Sequence, residues 1–203
     1  MKVLLVNGSP NKDGCTFTAL KEIAGQLEKN GIETEIFHIG KKAVQGCIAC
    51  QKCSELGRCV FNDDLYNELL ELSKKADGII IGSPVYYAGP NGALCALLDR
   101  LFYSASQYLT NKPAAAVVSC RRGGASSSFD RLNKYFTINQ MPVITSQYWN
   151  SVHGFTPEDV KKDLEGLQTM RTLGNNMAWM IKTISESKYP LPEIEERVAT
   201  NFI

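Results

Sequence analysis

The sequence predicts a single α/β domain, a parallel sheet with helices on both faces. Three observations predict it. Short apolar runs of β type alternate with longer stretches of helical periodicity, and no internal repeat or low-complexity linker interrupts them. The first run, Val3 to Val6, is apolar at every position, as in a central strand covered on both faces. The 203 residues are 44% hydrophobic and 21% charged, an ordinary balance for a chain that can bury about 70% of its unfolded surface.

The elements follow in order. After Val3–Val6 comes a loop from Asn7 to Cys15, then a helix with Phe17, Leu20, Ala24 and Leu27 on one face, ending near Asn30-Gly31. Thr34 to Ile39 alternates polar and apolar, the pattern of an edge strand. A cysteine-rich loop occupies residues 46–60. Leu65, Leu69, Leu70 and Leu72 mark a second helix, and Gly78 to Gly82 a third strand that turns at Ser83-Pro84. Leu94, Leu97, Leu98 and Leu101 carry a third helix, and Ala114 to Ser119 is a fourth strand. Gly123-Gly124 opens a helix with Phe129, Leu132 and Phe136 on one side, and Val143 to Thr145 reads as the fifth strand. Thr156-Pro157-Glu158-Asp159 has the form of a helix start, continued by Val160, Leu164, Leu167 and Met170 to about Ser187. Right-handed crossovers between five such strands give the order 2-1-3-4-5. The domain then spans 1–188, and residues 189–203, broken by Pro190 and Pro192, form an arm suited to packing on a second subunit.

Charge narrows the function. Lys and Arg total 22 against 21 Asp and Glu, with no block of one sign, which argues against a nucleic-acid or anionic-membrane partner. The N-terminal apolar stretch is too short for a signal peptide, so a cytoplasmic location is expected.

In an open parallel sheet, ligands bind beyond the carboxyl ends of the strands at the switch point, here between strands 1 and 3. The first loop there, Gly8 to Thr16, joins a buried strand to a helix N-terminus, where free amides favour an anion. It lacks the ending of a nucleotide-triphosphate loop and the spaced glycines of a dinucleotide loop, so a monophosphate fits it better. The second, Ser83 to Gly92, offers two stiffening prolines and two tyrosines against which a flat ring can lie. The third, Ser119 to Ser126, adds glycine amides and the guanidinium groups of Arg121 and Arg122. Acidic residues of a phosphoacceptor module are missing at Asn7-Gly8 and Gly82-Ser83. A phosphatase reading fails because Cys15 is followed six residues later by Lys21. His38 and His153 are the two histidines, and no catalytic triad can be drawn from them. The aromatic-polar segment 147–154, with Trp149 and His153, is the candidate for substrate contact.

Cys47, Cys50, Cys53 and Cys59 give CxxCxxC followed by a five-residue gap, close to runs that hold iron-sulfur clusters through four thiolates. A 4Fe-4S cluster is the leading expectation. A four-cysteine zinc site and four free thiols are the alternatives. Cys95 and Cys120 read as core thiols, which leaves Cys15 to touch a ligand.

Gly8-Ser9-Pro10, Ser83-Pro84-Val85-Tyr86 with Asp99-Arg100 closing the next helix, and Arg122-Gly123-Gly124 together resemble the flavodoxin-fold NAD(P)H-dependent FMN reductases over about residues 1–150. The cysteine run with Asp63-Asp64 resembles the iron-sulfur flavoproteins within that superfamily. The resemblance implies a flavodoxin-like three-layer sandwich and bound FMN. Ser9, Asn11, Gly14, Cys15 and Thr16 would surround its phosphate, with Lys12 adjacent. Pro84, Val85, Tyr86, Tyr87, Ala88 and Gly89 would line the isoalloxazine, and Ser119, Arg121, Arg122, Gly123 and Gly124 its other edge. It further implies NAD(P)H as donor, chemistry at the flavin with no catalytic side chain, and a homodimer or tetramer. Electrons would pass to a small-molecule acceptor. The alternatives are an electron carrier serving ferredoxin-like partners and a zinc-stabilised, non-enzymatic binding protein.

Overall fold

In the computed structural model, which describes residues 1–196 and 198–200, the side chain of Asp64 excepted, strands and helices alternate as the periodicity predicts. The order is β1 (Lys2–Asn7), α1 (Cys15–Lys29), β2 (Glu33–His38), α2 (Cys53–Leu56), α3 (Asp64–Lys75), β3 (Gly78–Tyr86), β4 (Gly89–Pro90) and α4 (Gly92–Ser104). It continues with β5 (Ala114–Cys120), α5 (Ala125–Ile138), β6 (Ser151–His153), α6 (Pro157–Val160) and α7 (Leu164–Ser185). The parallel strands run β2-β1-β3-β5-β6, the order expected for five strands. A sixth, the two-residue β4, folds back antiparallel on the end of β3.

Strand alternation divides the core between two faces. Val3 and Leu5, with Ile80, Ala115 and Val117, pack under α1 and α7; their neighbours Leu4, Val6, Ile79 and Ile81 pack under α3, α4 and α5. β2 is an edge, as its alternation predicts: Phe37 is buried, while Glu35 reaches Lys2 Nζ at 2.6 Å in the solvent.

Three expectations need correction. Val143–Thr145 is not a strand: it pairs with β5 only through Val143 opposite Ala114 and the bond from Ile144 N to Ala114 O. The chain then leaves the sheet and returns at Asn150, whose carbonyl accepts Val118 N and whose side chain donates to Ala116 O at 3.1 Å. One amide side chain thus satisfies the β5 edge where a backbone was expected, and the true strand is Ser151–His153. The helix predicted from Thr156 is two helices. Thr156 and Asp159 form a reciprocal capping box on α6, and Asp163 opens α7 by accepting Gly166 N at 2.9 Å. α7 ends at Ser185, and the cysteine segment, expected as loop, contains the single turn α2.

Beyond α7 the chain has no regular element among the described residues, and Tyr189, Leu191, Ile194 and Val198 are exposed. Positions 197 and 201–203 of the expected arm lie outside the described residues. Among the described residues no helix is long and apolar enough to cross a membrane.

Candidate functional site

The carboxyl ends of β1, β3 and β5 bring the three predicted loops to one rim. β1 and β3 meet where Gly8 N donates to Gly82 O at 2.8 Å, and Asn91 clamps the crevice by donating its side-chain amide to Gly8 O at 2.7 Å. Asn91 also caps α4, its Oδ1 accepting Ala93 N. One buried amide therefore sets the end of β1 and the start of α4.

The first loop is shaped by its own polar side chains. Asn7 accepts Ser9 N at 3.1 Å and donates to Lys12 O at 3.0 Å, and Ser9 Oγ accepts Asn11 N at 3.1 Å. His38 at the end of β2 braces the loop, with Nε2 2.8 Å from Ser9 O. Ser9 is buried, and its hydroxyl hydrogen is left to donate. α1 starts at Cys15 with no side chain on its first-turn amides, so these are free for an anion. Thr16 is turned inward and shares a 2.8 Å hydrogen bond with Ser119, so both hydroxyls join loop to strand and do not point outward. Cys15 Sγ lies 3.8 Å from Gly154 O, and burial pushes its thiol up, which keeps a thiolate away from the anion position. Asn11 and Lys12 are exposed at the tip.

The second loop is a tight hairpin. Val85-Tyr86 pairs with Gly89-Pro90 across Tyr87 and Ala88, both left-handed at φ 49° and 59°. Two positive φ values are the signature of a type I′ turn, which favours Asn-Gly; Tyr-Ala bears strain of order 1–3 kcal/mol per residue. The strained turn holds the Tyr87 ring wholly in solvent above the rim, beside the half-exposed Tyr86. Loop three supports it from below. Gly124 sits at φ 92°, and a Cβ there would come within 2.6 Å of Ala88 Cα, while Ser127 Oγ donates to Ala88 O at 2.5 Å. Like α1, α5 starts at this rim with no side-chain cap. Arg121 and Arg122 are exposed, and the Arg121 guanidinium lies 5.6 Å from the Phe155 ring centre.

The segment 147–154 divides. His153 reaches the rim, its backbone N bonded to Asp163 Oδ2 at 2.7 Å. Tyr148 and Trp149, exposed and with tilted rings 5.0 Å apart, precede β6 and so come before the last strand and not after it. Displacement of the fifth strand to 151–153 moves them from the place the sequence suggested. Phe155, next to Arg121, was not singled out in the sequence; an isolated aromatic after a glycine carries no signal without the fold.

The cysteine loop lies on the other side of α4. Cys47, Cys50, Cys53 and Cys59 line a single pocket with Arg100 and Tyr103. Cys59 is buried at its base, and Cys47 and Cys50 are exposed at the mouth. Ala49 and Gln51, at φ 52° and 59°, are left-handed on either side of Cys50 and reverse the chain around it. Burial raises the Cys53 thiol, and the three neighbouring cysteines raise it further. Four thiols around one pocket are the donor set of a cluster, although among the described residues no three ligating groups are drawn together around one ion. Arg100, read in the sequence only as a helix end, is 1% exposed and donates to Cys59 Sγ at 3.3 Å.

Comparison with known proteins shows the family and the fold. The profile of the NADPH-dependent FMN reductase family matches residues 1–156. An iron-sulfur flavoprotein of Methanocaldococcus jannaschii is 37% identical over 194 residues, covering 92% of this chain and the whole of that one. Among solved structures, RosB with a bound 8-demethyl-8-formylriboflavin-5'-phosphate intermediate superposes with a TM-score of 0.71 at 17% identity, covering 99% and 92% of the two chains. A flavodoxin from the domain Archaea superposes at 0.60 with 16% identity, covering 90% of this chain and 99% of its own.

Proposed function

The chain belongs to the NADPH-dependent FMN reductase family, among its iron-sulfur flavoproteins, and is an FMN-dependent oxidoreductase; from that premise we propose that it takes electrons from NAD(P)H and delivers them through a four-cysteine iron-sulfur site. The observation that supports the flavin site is the convergence of two uncapped helix N-termini and a strained tyrosine hairpin on the rim at the β1/β3 switch point.

The free amides at the start of α1 and the Ser9 hydroxyl hold the phosphate, with Asn11 and Lys12 covering it and Gly14, Cys15 and Thr16 shaping its seat. Pro84, Val85, Tyr86, Tyr87, Ala88 and Gly89 orient the ring and exclude water from one side. Gly123 and Gly124 border its edge, with Ser119 buried beneath against Thr16, and Arg121 or Arg122 supplies positive charge there. FMN bound there supplies hydride acceptance and electron release, so no side chain need act as acid or base. The sequence shows no separate dinucleotide motif, so a nicotinamide would have to approach the flavin directly at this rim.

Cys47, Cys50, Cys53 and Cys59 hold a 4Fe-4S cluster, which supplies one-electron transfer. What supports this is their common pocket and its position on α4. Asn91 at the helix start faces the flavin loop, and Arg100, about 14 Å along the axis, faces the cysteines. One rigid helix fixes the spacing of the two centres. The acceptor is a small molecule or a ferredoxin-like protein, and the active form is a homodimer or tetramer to which residues 189–203 contribute. The non-enzymatic zinc alternative falls with the family.

The test is a visible spectrum of anaerobically purified protein before and after NADPH. Flavin bands over a broad brown absorbance, both bleaching on reduction, support the reading. Flavin bands alone, with zinc or no metal on elemental analysis, would leave a flavin reductase without a cluster, and colourless protein that binds no added FMN would overturn the whole.

A further inference from the structure

Arg100 has the largest side chain among the fully buried residues described, and its guanidinium bonds to the cysteine loop and to the residues that flank it. Nη1 donates to Gln45 O at 3.3 Å, two residues before Cys47. Nη2 donates to Phe61 O at 3.2 Å, two residues after Cys59, and forms an ion pair with Asp63. Nε donates to Cys59 Sγ at 3.3 Å. The group is held between the Tyr66 ring, 4.7 Å away, and the Phe61 ring, 5.5 Å away. Tyr66 completes the arrangement: its hydroxyl accepts Cys59 N at 3.0 Å and shares a 2.5 Å bond with Ser104, which in turn donates to Arg100 O at 2.6 Å.

A buried cation is a poor way to gain stability alone, because desolvation offsets most of its ion-pair energy. An apolar side chain would fill this space at less cost. What only an arginine does is reach both ends of the loop and one cysteine sulfur at once, through donors fixed in a plane. The remaining thiols of the loop have no comparable restraint: Cys47 receives one weak bond from Ala49 N at 3.4 Å, and among the described residues the sulfurs of Cys50 and Cys53 make no hydrogen bond.

We propose that Arg100 is the positioning residue of the four-cysteine loop: it clamps residues 45 and 61 together and holds Cys59 at the base of the pocket, so that the cradle exists before metal arrives. Its Nε–H then remains as a hydrogen bond to a ligand sulfur of the bound cluster, one of the levers on cluster potential. The inference rests on the cluster reading only in this last part. The clamp itself belongs to the metal-free chain.

The experiment uses full-length protein with R100M, which keeps the stem and removes every donor, and R100K, which keeps the charge and loses the planar fork. Three quantities are read: iron and sulfide per chain after anaerobic reconstitution, the midpoint potential of the iron chromophore, and the iodoacetamide alkylation rate of Cys59 in metal-free protein by mass spectrometry. FMN content reports that the domain is folded. The expected result is retained FMN, iron and sulfide per chain lowered severalfold in R100M, a more negative potential in whatever cluster remains, and Cys59 alkylated severalfold faster. R100K falls between R100M and wild type. If R100M loses FMN, R100K decides, and R100K with wild-type iron content and Cys59 alkylation overturns the proposal. Wild-type protein that takes up no iron, while its Cys59 is shielded and the variants' is not, supports the clamp and refutes the cluster. Normal iron in wild type and variants alike, at one potential and one alkylation rate, refutes the clamp and leaves the cluster standing.

Discussion

The hydroxyls of Thr16 and Ser119, 103 residues apart in sequence, lie 2.8 Å from one another in the interior, where they join the first turn of α1 to the end of β5. This pair sets where the free amides of α1 sit relative to the third loop. Thr16→Val keeps the shape and leaves the Ser119 hydroxyl without its partner, so unfolding free energy should fall by about 1–3 kcal/mol and FMN binding should weaken. Urea denaturation and a flavin fluorescence titration check it; wild-type values in both would mean the pair positions nothing.

Replacing Tyr87-Ala88 by Asn-Gly supplies the residues that a type I′ turn favours. Stability should rise by about 1–2 kcal/mol, from relief of two left-handed non-glycine residues. NADPH oxidation should fall, because the ring that walls the rim is gone. A gain in stability with unchanged turnover would show that the strain serves no catalytic purpose.

At Gly124 the combination of φ 92° and the close Ala88 leaves no room for a side chain. Gly124→Ala should displace the hairpin, and FMN affinity should fall about tenfold or more, in line with a strain of a few kcal/mol. Equilibrium dialysis with FMN reads this directly.

The Asp159 carboxyl is held below its usual range by the Thr156 N–H, then by the Thr156 hydroxyl and the Phe155 N–H. A folded-state value below the unfolded one means the stabilisation is present above the unfolded value and is lost as pH falls through the folded one. The loss should therefore begin near pH 4 and grow downward. Asp159→Asn should flatten this acid limb, measured as the urea midpoint between pH 6 and 3 in both proteins.

Cys59→Ser removes the buried member of the proposed ligand set, and Cys47→Ser an exposed one. Each should reduce bound iron severalfold and leave FMN content unchanged, since the two sites lie at opposite ends of α4. Loss of both cofactors together would show that the loop also supports the flavin rim.

The parallel order, the two buried faces and the three rim loops were legible in the sequence, because apolar periodicity and turn residues are local properties that the sheet leaves intact. Val3–Val6 and Ile79–Ile81 could hardly lie elsewhere than mid-sheet. The spacing of Cys47, Cys50, Cys53 and Cys59 likewise points to one shared site, and the four line one pocket.

What depends on partners far along the chain could be read only from the tertiary structure. Val143–Thr145 has strand composition, yet the edge of β5 takes its hydrogen bonds from the Asn150 side chain and from 151–153. Trp149 therefore precedes the last strand and does not follow it. Thr16, read as lining the phosphate, and Ser119, read as bordering the ring, face each other, and Arg100, read as a helix end, lies beneath the cysteines. The sequence by itself determined which segments are strands and helices of the core and which loops carry polar chemistry, since burial of an apolar pattern is decided residue by residue. Only the tertiary structure decided which buried polar group satisfies which, because a donor deprived of water must bond to whatever acceptor packing brings near, and that acceptor can lie 40 or 100 residues away.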